Sequence, residues 1–182
     1  MSGTASKPEP PPDRRFVQVY TGDGKGKTTA ALGLVLRAAG AGWRVLVLQF
    51  LKRGDFSEIK ALRRLPGVEV RQFGTGRFVR GRPSEADLRA ARDGLRLAES
   101  ALASGAYDLV VLDEANVAAH FGMLEAADLA ALLDRRPPGV EVVLTGRWAP
   151  PEVLERADLV TEMRSVRHYY DRGIPAREGI ER

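Results

Sequence analysis

The stretch VQVYTGDGKGKTTAALGLVLRAAG, residues 17–40, limits the possible folds of this chain more than any other part. Phe16 to Tyr20 is a short apolar run rich in β-formers. The six residues from Gly22 to Lys27 hold three glycines and two lysines, and the small and apolar residues beyond them suit a buried helix ending at Gly40. Strand, glycine loop and helix follow one another directly. A tight glycine turn at the start of a helix aims successive backbone N–H groups at one anion, with no side chains in the way. Gly22, Gly24 and Gly26 supply that freedom. Lys27 adds a mobile positive charge for terminal phosphates, and the Thr28 hydroxyl, in the first helical turn, is placed to ligate magnesium. The spacing approaches G-x-x-x-x-G-K-[ST] with Thr21 in the first position, and its place between strand and helix is the context the pattern requires. The loop is read as holding a nucleoside triphosphate with magnesium.

The remainder alternates in the same way. Strands are expected over Arg44 to Phe50, Gly67 to Phe73, the run YDLVVLDE, Val140 to Arg147 and the run ADLVTEMR. Between them, helices are expected over Phe56 to Leu65, from a Ser84 cap to about Ala103, over Leu124 to Arg135, and briefly over Pro151 to Arg156. Such alternation implies a mostly parallel sheet with helices on both faces. The fold class expected is α/β, a three-layer P-loop NTPase domain of the RecA-like kind. The chain contains no internal repeat.

A chain of 182 residues with 44% hydrophobic residues can bury one substantial core, so residues 15–182 are read as a single domain. The proline-rich polar segment 1–14 is read as a disordered or loosely docked tail. No segment approaches the roughly 20 apolar residues of a membrane span, and the start lacks a signal-like apolar run, so a cytoplasmic protein without a membrane partner is expected. The absence of cysteine excludes disulfides and thiolate metal sites, and two histidines leave little for a histidine centre, so oxygen ligation of any metal is expected. The net charge of +4 is carried mostly by scattered arginines; no nucleic-acid partner is inferred from it.

Asp113 and Glu114 end the buried run LVVLDE, where a carboxylate can reach magnesium or its bound water. Buried acids without such a partner are costly, which favours a functional pair. Gln49 and Lys52 lie just past the second strand, at the edge where open α/β sheets bind ligands. Trp43 is expected to pack at a helix–strand junction, and His120 to lie on a helix or loop surface.

The motifs TGDGKGKTTAALG, LVLQFLKRG, DLVVLDEANVA, VVLTGR, ADLVTEMR and GIPAREGIE occur in that order. Together they resemble the phosphate-loop class of ATP:corrinoid adenosyltransferases, over about Val17 to Glu181. The resemblance implies transfer of the 5′-deoxyadenosyl group of ATP to the cobalt(I) of a reduced corrinoid, with release of inorganic triphosphate. It implies that Gly22, Asp23, Gly24, Lys25, Gly26, Lys27, Thr28 and Thr29 wrap the triphosphate, and that Arg37 and Arg147 neutralise its outer oxygens. It further implies that Thr28 and Glu114 bind Mg2+ or Mn2+, with Asp113 behind them. Lys27, Thr28, Arg37, Glu114 and Arg147 are the expected catalytic set. Asp23 stands where relatives often have asparagine and is read as a turn residue. Relatives carry a TGFTW-like segment against the corrin; here GTGRFVRGR places Phe78 one position away and has no tryptophan. Phe78, Gln49, Lys52 and His168 are the corrinoid-binding candidates. A flavoprotein reductant and a homodimer are also implied. Two other readings of the loop are a recombinase-type ATPase stimulated by DNA and a small-molecule kinase; either would yield ADP rather than triphosphate.

Overall fold

A computed structural model describes residues 14–77, 79 and 81–181. The strands are β1 (Val17–Thr21), β2 (Val45–Phe50), β3 (Val68–Phe73), β4 (Leu109–Asp113), β5 (Glu141–Thr145) and β6 (Leu159–Glu162). They form one sheet in the order β3-β2-β4-β5-β1-β6, and every neighbouring pair is parallel. The helices are α1 (Lys27–Gly40), α2 (Ser57–Leu62), α3 (Glu85–Ser104), α4 (Ala115–His120), α5 (Ala126–Asp134) and α6 (Pro151–Leu154), and a 3-10 turn spans Tyr169–Arg172.

Strands buried on both faces read as continuous apolar runs because alternate side chains enter different cores. In β2, Val45 and Val47 join one apolar cluster with Ala31, Val35 and Ala38 of α1, whereas Leu46, Leu48 and Phe50 join another with α3, α5 and Val153 of α6. β4 divides likewise: Leu109 and Val111 face the α1 side, Val110 and Leu112 the other. The result is three layers, as expected from the alternation. β6 differs, since all four of its residues are exposed at the sheet margin.

Most element bounds agree with the sequence reading to within a few residues. The Ser84 cap forms: its hydroxyl accepts from the Asp87 N–H at 3.3 Å, while the Asp87 carboxylate accepts from the Ser84 N–H at 3.0 Å. Helix α4 was not expected, because six residues directly behind two acids carry no recognisable start signal. Its N-cap residue, Glu114, has a φ of 63° and makes no side-chain capping bond.

What positions a site is the register. The paired residues of β2 with β4, β4 with β5 and β5 with β1 bring Gln49, Asp113, Thr145 and Thr21 to one carboxyl edge. β5 lies between the strand that feeds the glycine loop and the strand that ends in Asp113.

Candidate active site

The glycine loop joins β1 to α1, and Gly26 precedes the first helical residue in a left-handed conformation, φ 118°. Lys27, 9% exposed, turns its ammonium back into the loop, where it donates to the carbonyls of Gly22 and Gly24, both at 2.7 Å. Burial pulls its pKa below the ordinary lysine value, against the opposing charge of Glu114. The loop is also pressed against the end of β6. A Cβ on Gly22 would lie 2.4 Å from the Met163 carbonyl oxygen, and one on Gly24 would lie 2.7 Å from it, so neither position has room for a side chain.

Behind the loop lies a connected polar network. Thr28 Oγ1 donates to Asp113 Oδ1 at 2.8 Å, and Thr145 Oγ1 donates to the same oxygen at 2.7 Å. The other carboxylate oxygen accepts from Lys52 Nζ at 2.8 Å and from Gln49 Nε2 at 3.1 Å. Gln49 Oε1 accepts in turn from Gln72 at 3.0 Å. Asp113 is fully buried, and burial alone would raise its pKa; the Lys52 ammonium and the two hydroxyls outweigh that and hold it below the ordinary value. Lys52 moves the opposite way to a typical buried amine, because Asp113 outweighs its own burial and raises it.

Glu114 is the next residue, yet its environment is different. Its backbone N–H donates to Thr145 Oγ1 at 2.9 Å. Its carboxyl is held above the ordinary range, first by burial and then by the neighbouring Asp113 charge, with Lys52, Lys27 and Arg147 pulling the other way. Two adjacent acids are thus shifted in opposite directions, Asp113 below and Glu114 above the ordinary carboxylate value.

Of the residues singled out from sequence, Lys27, Thr28, Asp113 and Glu114 come together at this edge. Arg147 joins them, its guanidinium donating to the Asp23 carbonyl at 3.1 Å. Asp23 accepts from the Ser165 N–H at 3.3 Å, in keeping with a turn role. Lys25 points outward to the Ile180 carbonyl at 3.3 Å, and Thr29 is exposed on the first turn of α1. Arg37 is not brought to the loop: it is exposed in the last turn of α1, ten residues beyond Lys27, or about 15 Å along the axis.

Three of the corrinoid-binding expectations change. Gln49 is fully buried, with both ends of its amide engaged, and Lys52 is committed to Asp113. Both hold the Asp113 carboxylate, and Lys52 also reaches Thr28 Oγ1 at 3.4 Å. His168 Nδ1 accepts from the Tyr170 N–H at 3.0 Å, capping the 3-10 turn. Phe78 lies outside the described residues. Trp43 packs into the α1-side core, with Arg15 3.5 Å above its ring. Thr145 and Gln72 escaped the sequence reading. Thr145 was legible as the threonine of the TGR strand end, whereas nothing in the sequence marks Gln72.

The donors at this edge are hard oxygens. Among the described residues no group of three or more His, Asp or Glu side chains converges as a complete metal cage. That set fits magnesium, which is commonly held by one or two protein groups together with substrate phosphates and water.

Comparison with known proteins matches residues 13–182 to the family described as ATP:corrinoid adenosyltransferase BtuR/CobO/CobP. The chain is 37% identical over 169 residues to the corrinoid adenosyltransferase of Escherichia coli K12, covering 93% of this chain and 86% of the relative. It is 39% identical over 171 residues to that of Pseudomonas aeruginosa, covering 93% and 84%. Against the corrinoid adenosyltransferase CobA of Salmonella typhimurium the figure is 36% over 169 residues, covering 93% and 86%.

Proposed function

The chain belongs to the ATP:corrinoid adenosyltransferase family and transfers an adenosyl group from ATP to a corrinoid; from that premise we propose how its own residues carry the reaction. The observation that carries the assignment is the convergence of the Lys27 ammonium, the Thr28 hydroxyl and the Asp113–Glu114 pair at the edge where the glycine loop opens.

In this reading the triphosphate is a leaving group. The electron pair of cobalt(I) in the reduced corrinoid forms the cobalt–carbon bond at C5′ of ATP. The bond from C5′ to oxygen breaks, and its pair departs with the triphosphate. Neither a proton nor an activated water is consumed, so the protein's task is to orient C5′ toward cobalt and to stabilise charge developing on the departing oxygens. Lys27 and the loop N–H groups serve the second need. Arg147, next to the loop at Asp23, adds positive charge on the outer side.

A bound Mg2+ or Mn2+ would offset charge on the phosphate oxygens, and the residues that would hold it are Thr28 and Glu114. Thr28 already donates its hydroxyl proton to Asp113 and accepts from Lys52 Nζ at 3.4 Å, which leaves one lone pair on its oxygen to ligate. Asp113 orients Thr28 and Thr145 together, and Lys52 keeps it ionised while it does so.

A flavoprotein reductant rests on the family resemblance alone. A homodimer is supported also by the apolar residues exposed along and beyond β6: Leu159 at 43%, Val160 at 48% and Val166 at 95%. Among the described residues no helix is long and apolar enough to cross a membrane.

The test is anaerobic incubation with ATP, magnesium and chemically reduced cobalamin, followed optically for a light-sensitive cobalt–carbon product and chemically for the phosphate released. Inorganic triphosphate is expected. ADP as the product would overturn the reading in favour of a kinase or ATPase.

A further inference from the structure

Three residues other than glycine have a positive φ among those described: Leu51, Glu114 and Trp148, at 63°, 63° and 56°. All three stand within three residues of a strand's carboxyl end, after β2, β4 and β5, on the edge that carries the site. Strained backbone of this sort persists where surrounding structure over-determines it, and it gathers at functional sites. Glu114 already has a role there. Trp148 has none, although an indole is a poor choice for a conformation that glycine adopts freely.

Packing explains how the strain is held. Gly146 lies so close to α4 that a Cβ on it would be 3.0 Å from both Asn116 Cβ and Val117 N, which clamps the segment after β5 to the helix that follows Glu114. At the far end of α4, His120 stacks on Trp148 with ring centroids 4.1 Å apart and planes 22° apart, and Phe121 meets it edge-on at 6.2 Å and 85°. Trp148 nevertheless remains 51% exposed. It is a flat aromatic surface, stacked on His120 from one side and half exposed, with the Arg147 guanidinium 6.0 Å from its centroid. The residue before it, Arg147, reaches the glycine loop. The loop-bound cation and the ring therefore belong to adjacent residues, whose Cα atoms lie about 3.8 Å apart.

We propose that Trp148, stacked on His120, is the platform on which the adenine of ATP lies. The inference rests on the glycine loop holding the triphosphate, as argued above. A base tethered through ribose to phosphates beside Arg147 falls within reach of the adjacent indole, and a bicyclic base matches it in size and stacks face to face. His120 and Phe121 fix the ring before the ligand arrives, so little ordering remains to be done on binding.

The experiment compares binding of ATP and of inorganic triphosphate, each with magnesium, to the wild-type chain and to the W148G and W148F variants by calorimetry. W148G is expected to weaken ATP roughly 10-fold and to leave triphosphate unchanged. Its melting temperature should hold or rise, because glycine accepts the left-handed backbone, and W148F should keep most of the ATP affinity. In a W43F background, where Trp148 is the remaining tryptophan, ATP should quench emission and triphosphate should not. If W148G binds both ligands like the wild type, the platform is wrong while the loop assignment stands. Equal weakening of both ligands would make Trp148 a prop for the loop and overturn the proposal, as would a loss confined to corrinoid binding. If the wild-type chain binds neither ligand, the loop assignment fails and the platform with it.

Discussion

The glycine loop has two sides, and they are held by different kinds of contact. On its inner side, Lys27 and Thr28 meet buried groups: loop carbonyls, a fully buried Asp113 and, through it, Thr145, Gln49 and Lys52. On its outer side, Asp23, Gly24 and Lys25 meet the segment after β6, through Ser165 N–H, Met163 carbonyl, Ile180 carbonyl and Glu181. The inner partners lie in a low-dielectric setting where removing one leaves the other charged and desolvated. The outer partners are largely wet, and water can replace what is lost. The same short loop is therefore rigidly founded where chemistry is expected and loosely tethered where the chain ends.

Breaking the inner side should give the largest effects. Lys27→Ala is expected to lower formation of the cobalt–carbon product by roughly 100-fold or more, as for other preorganised charge-stabilising groups. Its thermal unfolding should stay near that of the wild type, and retained turnover would show that the ammonium stabilises nothing that develops in the reaction. Asp113→Ala should destabilise the fold by about 3 kcal/mol, measured by urea unfolding, since it strands the Lys52 ammonium now 2.8 Å from the carboxylate. A double variant that also replaces Lys52 with methionine should recover part of that loss.

The boundary between the two sides can be tested at Gly22, where φ is 90° and an added Cβ would overlap the Met163 carbonyl. Gly22→Ala should cost about 1–3 kcal/mol in urea unfolding by forcing the end of β6 away from the loop. A neutral result would show that the two segments separate freely.

Glu181→Gln, on the outer side, should be the mildest change, with a shift in melting temperature within about 2 °C at neutral pH. The Arg177 guanidinium first, and the Tyr169 hydroxyl with it, hold the Glu181 carboxyl down at about 2. Because this pKa is depressed from 4.5, its contribution is present above the ordinary carboxylate value and is lost as pH falls toward 2. The gap between wild type and variant should therefore close on acidification through that window. A gap that widens in acid would contradict the assigned ion pair.

How much of this was legible beforehand depended on whether the signal was local. The loop, the boundaries of α1, the Ser84 cap and the apolar strands are written in neighbouring residues, and each appears where the local pattern puts it. The misplacements arose where the answer was long-range. Gln49 and Lys52 were correctly located at the sheet edge, but their direction depends on which strand lies beside β2. Since that strand is β4, their polar ends meet Asp113. Arg37 is the exception: a rise of about 1.5 Å per residue already separated it from the loop. Resemblance placed it there against that arithmetic. Helix α4 was missed because it is nucleated by tertiary contacts, with Gly146 pressed on Asn116 and Val117, and not by a cap of its own.

By itself, the sequence determined the alternation of strand and helix, the glycine turn with its lysine and threonine, the paired acids at a strand end and membership of the family. All of these depend on side-chain type and on spacing along one stretch of chain. The tertiary structure alone decided that β5 inserts between β1 and β4, that the pKa values of two adjacent acids shift in opposite directions, and that Trp148 is held in a strained backbone against His120. Those outcomes depend on burial and on neighbours more than 20 residues away. Dielectric environment and contact geometry exist only once the layers have closed.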